Sequence, residues 1–533
     1  MSSQKGGLLP IRLDSRSSRL APTQVERDTS WSSWLRLSSV SSRLCKAQIL
    51  AFVAVIYLLV VFLMFNQLLF QQSKNRVTVE ERNSVGKLRL VESSKDTVED
   101  TSQGTAEANN SMEMVNQSNV SKPAAIDGDA NSLADDGITA GFKTSPDDGI
   151  VVNDSESSHL AVEQVRFLYN ANVESFGPPN YCVHIFYYPW YGSPEHDGQY
   201  LHWNHRYLPH WHQAITDRFP KGRHNPPDDI GASFYPQLGC YSSRDHRVIQ
   251  LHMKMLRQAG VGVMAVSWFP PSQSDDEGRP LDEVLPLILD LATTYAMKII
   301  LHMEPYKNRS AQSVLSDIQY MHKRYGSHPS LYKTTARPDS PKSLPLIYIY
   351  DSYQISPLSW AEVFTSSGSS TIRGTEDDVI AIGLLTTEVT KSEILRSGFD
   401  GFYTYFAIDK FTYGSTSNNW YGLSIFAKQH NLLFIPSVGP GYDDTKVRPW
   451  NSRNTIERVN GRYYGEKMID GINCQTRFLS ITSFNEWHEG TQIEPAIPEI
   501  NSGIKYRDYR PHRPDYYLDQ TRKLLEGFTC TAT

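Results

Sequence analysis

From about Val165 to the C-terminus, short apolar runs alternate with amphipathic stretches, and this alternation constrains the fold more than anything else in the chain. The strand-like runs are Val183–Tyr188, Val261–Trp268, Lys298–Met303, Leu346–Tyr350, Val379–Leu385, Gly401–Tyr405, Leu432–Pro436 and Phe478–Ser483. Helical patterns lie between them: His246 to Gln258 with Gly260 as its stop, Leu281 to Tyr295, Ser313 to Tyr325, Lys391 to Ser397 and Trp420 to Gln429. Strand and helix alternating about eight times imply a parallel sheet, and the count implies closure into an α/β fold, a (β/α)8 TIM-type barrel. A doubly wound open sheet is the rival, but no G-x-G-x-x-G follows the first strand.

The 533-residue chain carries other segments ahead of this domain, which is read as 164–533. Residues 1–46 are rich in Ser and Arg and poor in apolar runs, as a disordered tail is. Ile49 to Phe65 then runs without a polar side chain except the Tyr57 hydroxyl, and Leu68 to Phe70 extends it. That length spans a bilayer, so 47–70 is read as a transmembrane helix. Arg36, Arg43 and Lys46 crowd its N-terminal flank, which by the positive-inside rule puts the N-terminus in the cytosol. The expectation is a single-pass type II membrane protein with its C-terminal domain in the lumen. Residues 71–163 hold one aromatic, Phe142, and read as a disordered lumenal stem. Asn109, Asn116, Asn119, Asn153 and Asn308 each begin an N-x-Ser sequon, in keeping with a lumenal location.

A net charge of -6 gives no electrostatic footprint for nucleic acid. Cys45 falls beside the span, while Cys182, Cys240, Cys474 and Cys530 face the lumen with no metal-ligand spacing and their pairing open. Neither a metal nor another cofactor is expected. His488 as a metal ligand lacks an accompanying ligand set.

In a barrel of this kind the loops after the strands build the active site. Those ends carry Tyr187-Tyr188-Pro189-Trp190-Tyr191, Ser267-Trp268-Phe269, His302-Met303-Glu304, Tyr350-Asp351, Tyr403-Thr404-Tyr405 and Asn485-Glu486-Trp487-His488-Glu489. Aromatic faces beside hydrogen-bonding groups suit pyranose rings, and 29 Tyr with 10 Trp supply them. Two glutamates three residues apart after the last strand supply the acid and base that glycosidic cleavage needs. Glu486 and Glu489 are therefore the candidate catalytic pair. Candidate substrate contacts are Tyr188, Trp190, Tyr191, His202, Trp203, Asn204, Trp268, Glu304, Tyr403, Tyr405, Asn485, Trp487 and His488.

Several long runs resemble glycoside hydrolase family 99. They are Tyr187 to Gly192, Asp197 to His205, Gly222 to Gly231, Ser233 to Pro236, Tyr241 to Asp245, His302 to Tyr306, Gly398 to Ala407, Ser437 to Tyr442 and Ser483 to Glu494. The resemblance covers roughly Tyr181 to Tyr517. It implies a (β/α)8 barrel in the Golgi membrane system that cuts an internal α-1,2-mannosidic bond in glucosylated high-mannose N-glycans, releasing a glucose-capped mannose fragment. It further implies retention of configuration through attack by the substrate's own 2-hydroxyl. Glu486 matches the base for that hydroxyl and Glu489 the acid for the leaving oxygen. Those roles require opposite protonation at the start, so Glu489 is expected to have the raised pKa and Glu486 to stay ionised. Two other classes fit parts of the sequence. A Golgi glycosyltransferase would use Asp228-Asp229 or Asp443-Asp444 as metal-diphosphate acids, and a lectin-like relative would bind the glycan without chemistry.

Overall fold

The computed structural model describes residues 173–530, apart from 276, 336, 338, 339 and 502. They belong to the second of two units, Gly141–Thr533, the first being Met1–Ala140. The expected tail (1–46), span (47–70) and stem (71–163) lie outside the described residues, as do the first residues of the 164–533 domain. Among the described residues no helix is long and apolar enough to cross a membrane.

Eight strand-then-helix units follow in order. The strands are β1 (Asn180–Tyr187), β2 (Val261–Trp268), β3 (Lys298–Met303), β4 (Leu344–Ile349), β5 (Ile380–Leu384), β6 (Gly401–Tyr403), β7 (Leu433–Ile435, resuming as Ser437–Val438) and β8 (Leu479–Ile481). The helices are α1 (His246–Gln258), α2 (Leu285–Thr294), α3 (Ala311–Tyr325), α4 (Pro357–Phe364), α5 (Thr390–Ser397), α6 (Trp420–Gln429), α7 (Arg462–Asn473) and α8 (Tyr516–Leu524). Every neighbouring pair of barrel strands is parallel, and β8 pairs with β1 through Val183↔Leu479 and Ile185↔Ile481. Pro436 has no N–H to donate and splits β7: its first half pairs with β6 and its second with β8. Counted as one bent strand, β7 makes the parallel sheet consistent with a (β/α)8 barrel.

Local chemistry explains where the elements begin and end. Helix α1 starts at Asp245, whose side chain accepts the Arg247 N–H at 2.8 Å, and it stops before Gly260 at φ 77°. Gly262 is forced by close approach, since a Cβ there would meet the Asn180 carbonyl at 2.5 Å. The barrel interior departs from the branched aliphatic filling usual in this fold. Phe186 packs against His302, Tyr348, Tyr403 and Tyr405, and His184 Nδ1 lies 2.6 Å from the Tyr348 hydroxyl. Burial holds His184 neutral, its pKa pushed down to about 3.

Cys182 on β1 and Cys530 form a disulfide across 348 residues, with Cα atoms 5.3 Å apart. The bond ties the segment after α8 to the first barrel strand, while Cys240 and Cys474 are buried free thiols. Closing so long a loop restricts the unfolded chain, an effect worth about 2–4 kcal/mol. Cys530→Ser is therefore expected to lower the melting temperature of the domain by several degrees. Added reductant should depress the parent's melting curve to meet the variant's while leaving the variant unchanged.

Candidate active site

The turn after β8 is held from three directions. Ser483 Oγ accepts the Glu486 N–H at 2.8 Å, and Tyr191, from the β1–α1 segment, bridges the turn. Its hydroxyl donates to the Asn485 carbonyl at 3.0 Å and accepts the Trp487 N–H at 3.1 Å. Asn485 pairs with the backbone of Tyr188, accepting its N–H at 2.8 Å and donating to its carbonyl at 2.9 Å. Beneath lies Glu494, fully buried, which accepts from Tyr241 at 2.8 Å and from the Trp487 indole at 3.0 Å. His252 of α1 meets its other oxygen at 3.2 Å. Each group has a partner here, so the floor of the site is a satisfied polar network whose geometry is fixed.

On this floor stand the two glutamates. Glu486 is 5% exposed, and its Oε2 accepts the N–H groups of His488 (3.0 Å) and Glu489 (3.3 Å) from its own turn. Burial pushes its pKa well above the carboxylate range, and the neighbouring Glu489 charge adds to the rise. The two N–H donors and Arg448 oppose that rise without cancelling it. Burial likewise pushes Glu489 up to about 7, with Arg448 pulling down and Asp444 and Glu304 pushing up. Here the structure differs from the expectation that Glu486 stays ionised. The roles of an acid and a base demand opposite protonation, but desolvation acts on both members and raises both.

Arg448, a residue no motif had marked, comes from the loop after β7. Asp444 holds its guanidinium at 3.1 Å, and that loop reaches the turn directly through the Asp443 N–H, which donates to the Glu489 carbonyl at 2.7 Å. Asp443 itself pairs with Arg507 at 2.8 Å, and Asp229 lies 2.9 Å from His224 and 3.6 Å from Lys446. These acids are thus bound to cationic or imidazole partners of the protein itself. Among the described residues no three metal-ligating side chains converge on a common point.

The candidate contact residues divide into two groups. Tyr188, Trp190, His202, Glu304, Tyr405 and His488 gather around the pair, and Asn204 follows Trp203 in the segment after β1. The Tyr188 and Tyr405 hydroxyls lie 2.5 Å apart, and the charges of Glu486 and Glu489 contribute to raising the pKa of both phenols. Trp190 stacks on His202 at 4.7 Å, and His202 is anchored by Asp275 at 2.9 Å. Glu304 accepts from Ser267 at 2.8 Å beside His302 at 3.2 Å. Burial keeps His488 neutral, its Nδ1–H donating to the Gly231 carbonyl at 2.8 Å. Four buried polar atoms among the candidate contact residues, Trp190 Nε1, His202 Nδ1, Asn204 Oδ1 and His488 Nε2, make no hydrogen bond within the protein.

Tyr191, Trp203, Trp268, Tyr403, Asn485 and Trp487 form the second group and are essentially unexposed. Trp203 stacks on Tyr191 at 4.2 Å with its indole N–H on the Tyr241 carbonyl. Tyr403 meets His302 at 2.8 Å inside the barrel. Trp268 faces away from the pair, donating to Asp282 at 2.8 Å, an acid that Tyr320 and Tyr325 of α3 also bind. Packing and hydrogen bonding within the protein thus hold the side chains of this group. Glu494 and Tyr241 were missed as supports, although Glu494 lies five residues after Glu489. A fully buried acid between apolar neighbours was the available signal.

The Glycosyl hydrolase family 99 model matches residues 178–530. The chain is 53% identical over 361 residues to the glycoprotein endo-alpha-1,2-mannosidase of Xenopus laevis, an alignment covering 68% of this chain and 80% of that one. It is 51% identical to the glycoprotein endo-alpha-1,2-mannosidase of Rattus norvegicus over 67% of this chain and 77% of that one. Among solved structures it resembles the GH99 endo-alpha-mannosidase of Bacteroides thetaiotaomicron with a TM-score of 0.60 and 42% identity, covering 65% of this chain and 97% of that one.

Two outcomes follow from this arrangement. A carboxyl whose pKa is higher folded than unfolded binds extra protons in the folded state, so it favours folding at low pH and loses that contribution as pH rises through the folded value. For Glu489 that window runs from the ordinary carboxylate range to about 7. Glu489→Gln should therefore melt higher than the parent at pH 8, with the gap closing by pH 5; an equal gap at both pH values would contradict this origin. Glu494→Gln weakens the support under Trp487 without touching the pair. It is expected to lower kcat by about 10²-fold, with KM little changed, in a protein that still melts cooperatively.

Proposed function

Because the chain belongs to glycosyl hydrolase family 99, we propose that it is a glycoprotein endo-α-1,2-mannosidase in which Glu486 and Glu489 carry the reaction. The observation behind this is the juxtaposition of two buried glutamates, both with raised pKa values, at the strand-exit face of a parallel barrel. The substrate is a glucosylated high-mannose N-glycan, cut at an internal Man-α-1,2-Man bond to release a glucose-capped mannose fragment. Trp190, Tyr188 and Tyr405 offer aromatic faces and hydroxyls to the sugar. The unpartnered atoms of His202, Asn204 and His488 are matched by a ligand rich in hydroxyls.

The reactive form of the pair holds its proton on Glu489 and its charge on Glu486, where two backbone N–H groups favour the anion. Glu486 takes the proton of the 2-hydroxyl as that oxygen attacks C1 of the same mannose. The C1–O bond breaks as Glu489 protonates the departing oxygen, leaving a 1,2-anhydro sugar. Glu489, now ionised, removes a proton from water as the water attacks C1, and Glu486 returns its proton to O2. Two inversions at C1 amount to retention. Arg448 beside Glu489 lets that carboxyl cycle between neutral and charged forms. The apolar run at 47–70 and its basic N-terminal flank support anchorage as a type II protein of the Golgi membrane, with this domain lumenal.

Incubating the lumenal part with monoglucosylated high-mannose glycan tests the reading. The expected product is a glucosyl-mannose fragment, identified by mass, that NMR first detects as the α-anomer. Its rate should fall as pH rises through about 7. Glu486→Gln and Glu489→Gln should each reduce the rate by about 10²–10⁴-fold. Release of single hexoses, or first appearance of the β-anomer, would overturn it.

A further inference from the structure

Outside the catalytic bowl, the segment after Arg206 places an aromatic group on the surface that the reaction does not use. Trp211 is 61% exposed, the most exposed aromatic side chain but one among the described large hydrophobics. Its ring stacks on His210 at 3.7 Å and meets Trp450 edge-on at 5.4 Å. Beside it opens a cavity of about 250 Å³ whose apolar walls include Tyr207, Phe219 and Trp450, with Gln213, Thr216 and Lys221 also lining it. Asp217 fixes two of these polar groups, binding Gln213 at 2.9 Å and Lys221 at 2.8 Å. Apolar faces next to pre-positioned amide, hydroxyl and ammonium groups suit a hexopyranose, which carries C–H groups on its face and hydroxyls around its edge.

The cavity adjoins the loop that carries Arg448 to Glu489. Leu208 donates its N–H to the Val447 carbonyl at 2.8 Å, and the Trp450 indole donates to the Leu208 carbonyl at 2.9 Å. Trp450 is only two residues beyond Arg448 on the loop that also hydrogen-bonds the Glu489 backbone. The cavity is thus joined through this loop to the turn that carries the glutamate pair. We propose that Trp211 and the adjoining cavity form a second carbohydrate subsite, which holds a hexopyranose from an uncleaved branch of the glycan. The inference rests on the mannosidase reading for the identity of the branch, while the subsite itself rests on the platform and cavity.

The test compares two free oligosaccharides, a branched high-mannose glycan and a short linear one that spans only the cleaved linkage. Calorimetric titration into the lumenal part carrying Glu486→Gln measures binding without turnover. Adding Trp211→Ala should weaken the branched ligand by about three- to tenfold and leave the linear one unchanged, with Trp211→Phe recovering part of the loss. Because Trp211 is largely exposed, its truncation should leave the melting temperature as it was, which the same samples report. An unchanged affinity for the branched glycan overturns the proposal, as does equal weakening of both ligands or failure of the branched glycan to bind at all. If the active enzyme cleaves neither oligosaccharide, the mannosidase reading fails, yet the branched-ligand comparison still decides the subsite.

Discussion

Removing two carboxyl groups from water is the constraint around which this molecule is arranged. A lone surface glutamate ionises below neutrality and can neither hold a proton for a leaving oxygen nor share one with a neighbour. Burial changes that, because a low-dielectric setting penalises the charged form and a second acid nearby penalises it again. Glu486 and Glu489 are both subject to this penalty, while Arg448 and the backbone N–H groups of His488 and Glu489 keep one negative charge tolerable. The result is a pair whose members both hold a proton more tightly than a surface carboxylate does.

Such desolvation cannot be produced by the barrel strands alone, which end below the pair. It depends on the long segment between β1 and α1 and on the loop after β7. The first brings Tyr188, Trp190, Tyr191, His202 and Trp203, and the second brings Tyr442, Asp444 and Arg448. Both are tied to the glutamate turn by short backbone-directed bonds such as Tyr191 to Trp487 and Asp443 to Glu489. Under the turn, Glu494 receives three donors from Tyr241, Trp487 and His252. An acid left there without them would be costly, so the same network that holds the turn is itself held to one arrangement.

How much of this could be read in the sequence follows from what periodicity encodes. Strand β2 and helices α1 and α6 have the expected bounds to the residue, because Asp245, Gly260 and the apolar spacing mark them locally. Helix α2 begins four residues later than its pattern, at Leu285 just ahead of Pro286, since proline suits a first turn. Which way a strand residue faces was harder. Strands of a parallel barrel are buried on both sides, so alternation does not mark the inner face. Trp268 consequently read as a site residue, whereas Ser267 beside it is the one that reaches Glu304. Arg448 and the Cys182–Cys530 bond depend on contacts across long stretches of chain, and nothing local announces either. The glutamate pair was legible because both acids fall in one turn after an apolar strand.

The barrel core and the site turn out to share one layer of side chains. Phe186, His302, Tyr403 and Tyr405 pack as interior filling, while the hydroxyl of Tyr405 touches that of Tyr188 beside the pair. Replacing such a residue with an aliphatic one of similar size would preserve volume but strand a partner, as His302 would be without the Tyr403 hydroxyl. Stability and activity are therefore inseparable in this layer. They separate only toward the rim, where a side chain such as Trp211 contributes little to packing and its effect on ligand binding can be measured alone. This division explains why so many aromatic residues of the motifs are buried: they fix the turn that carries the two glutamates.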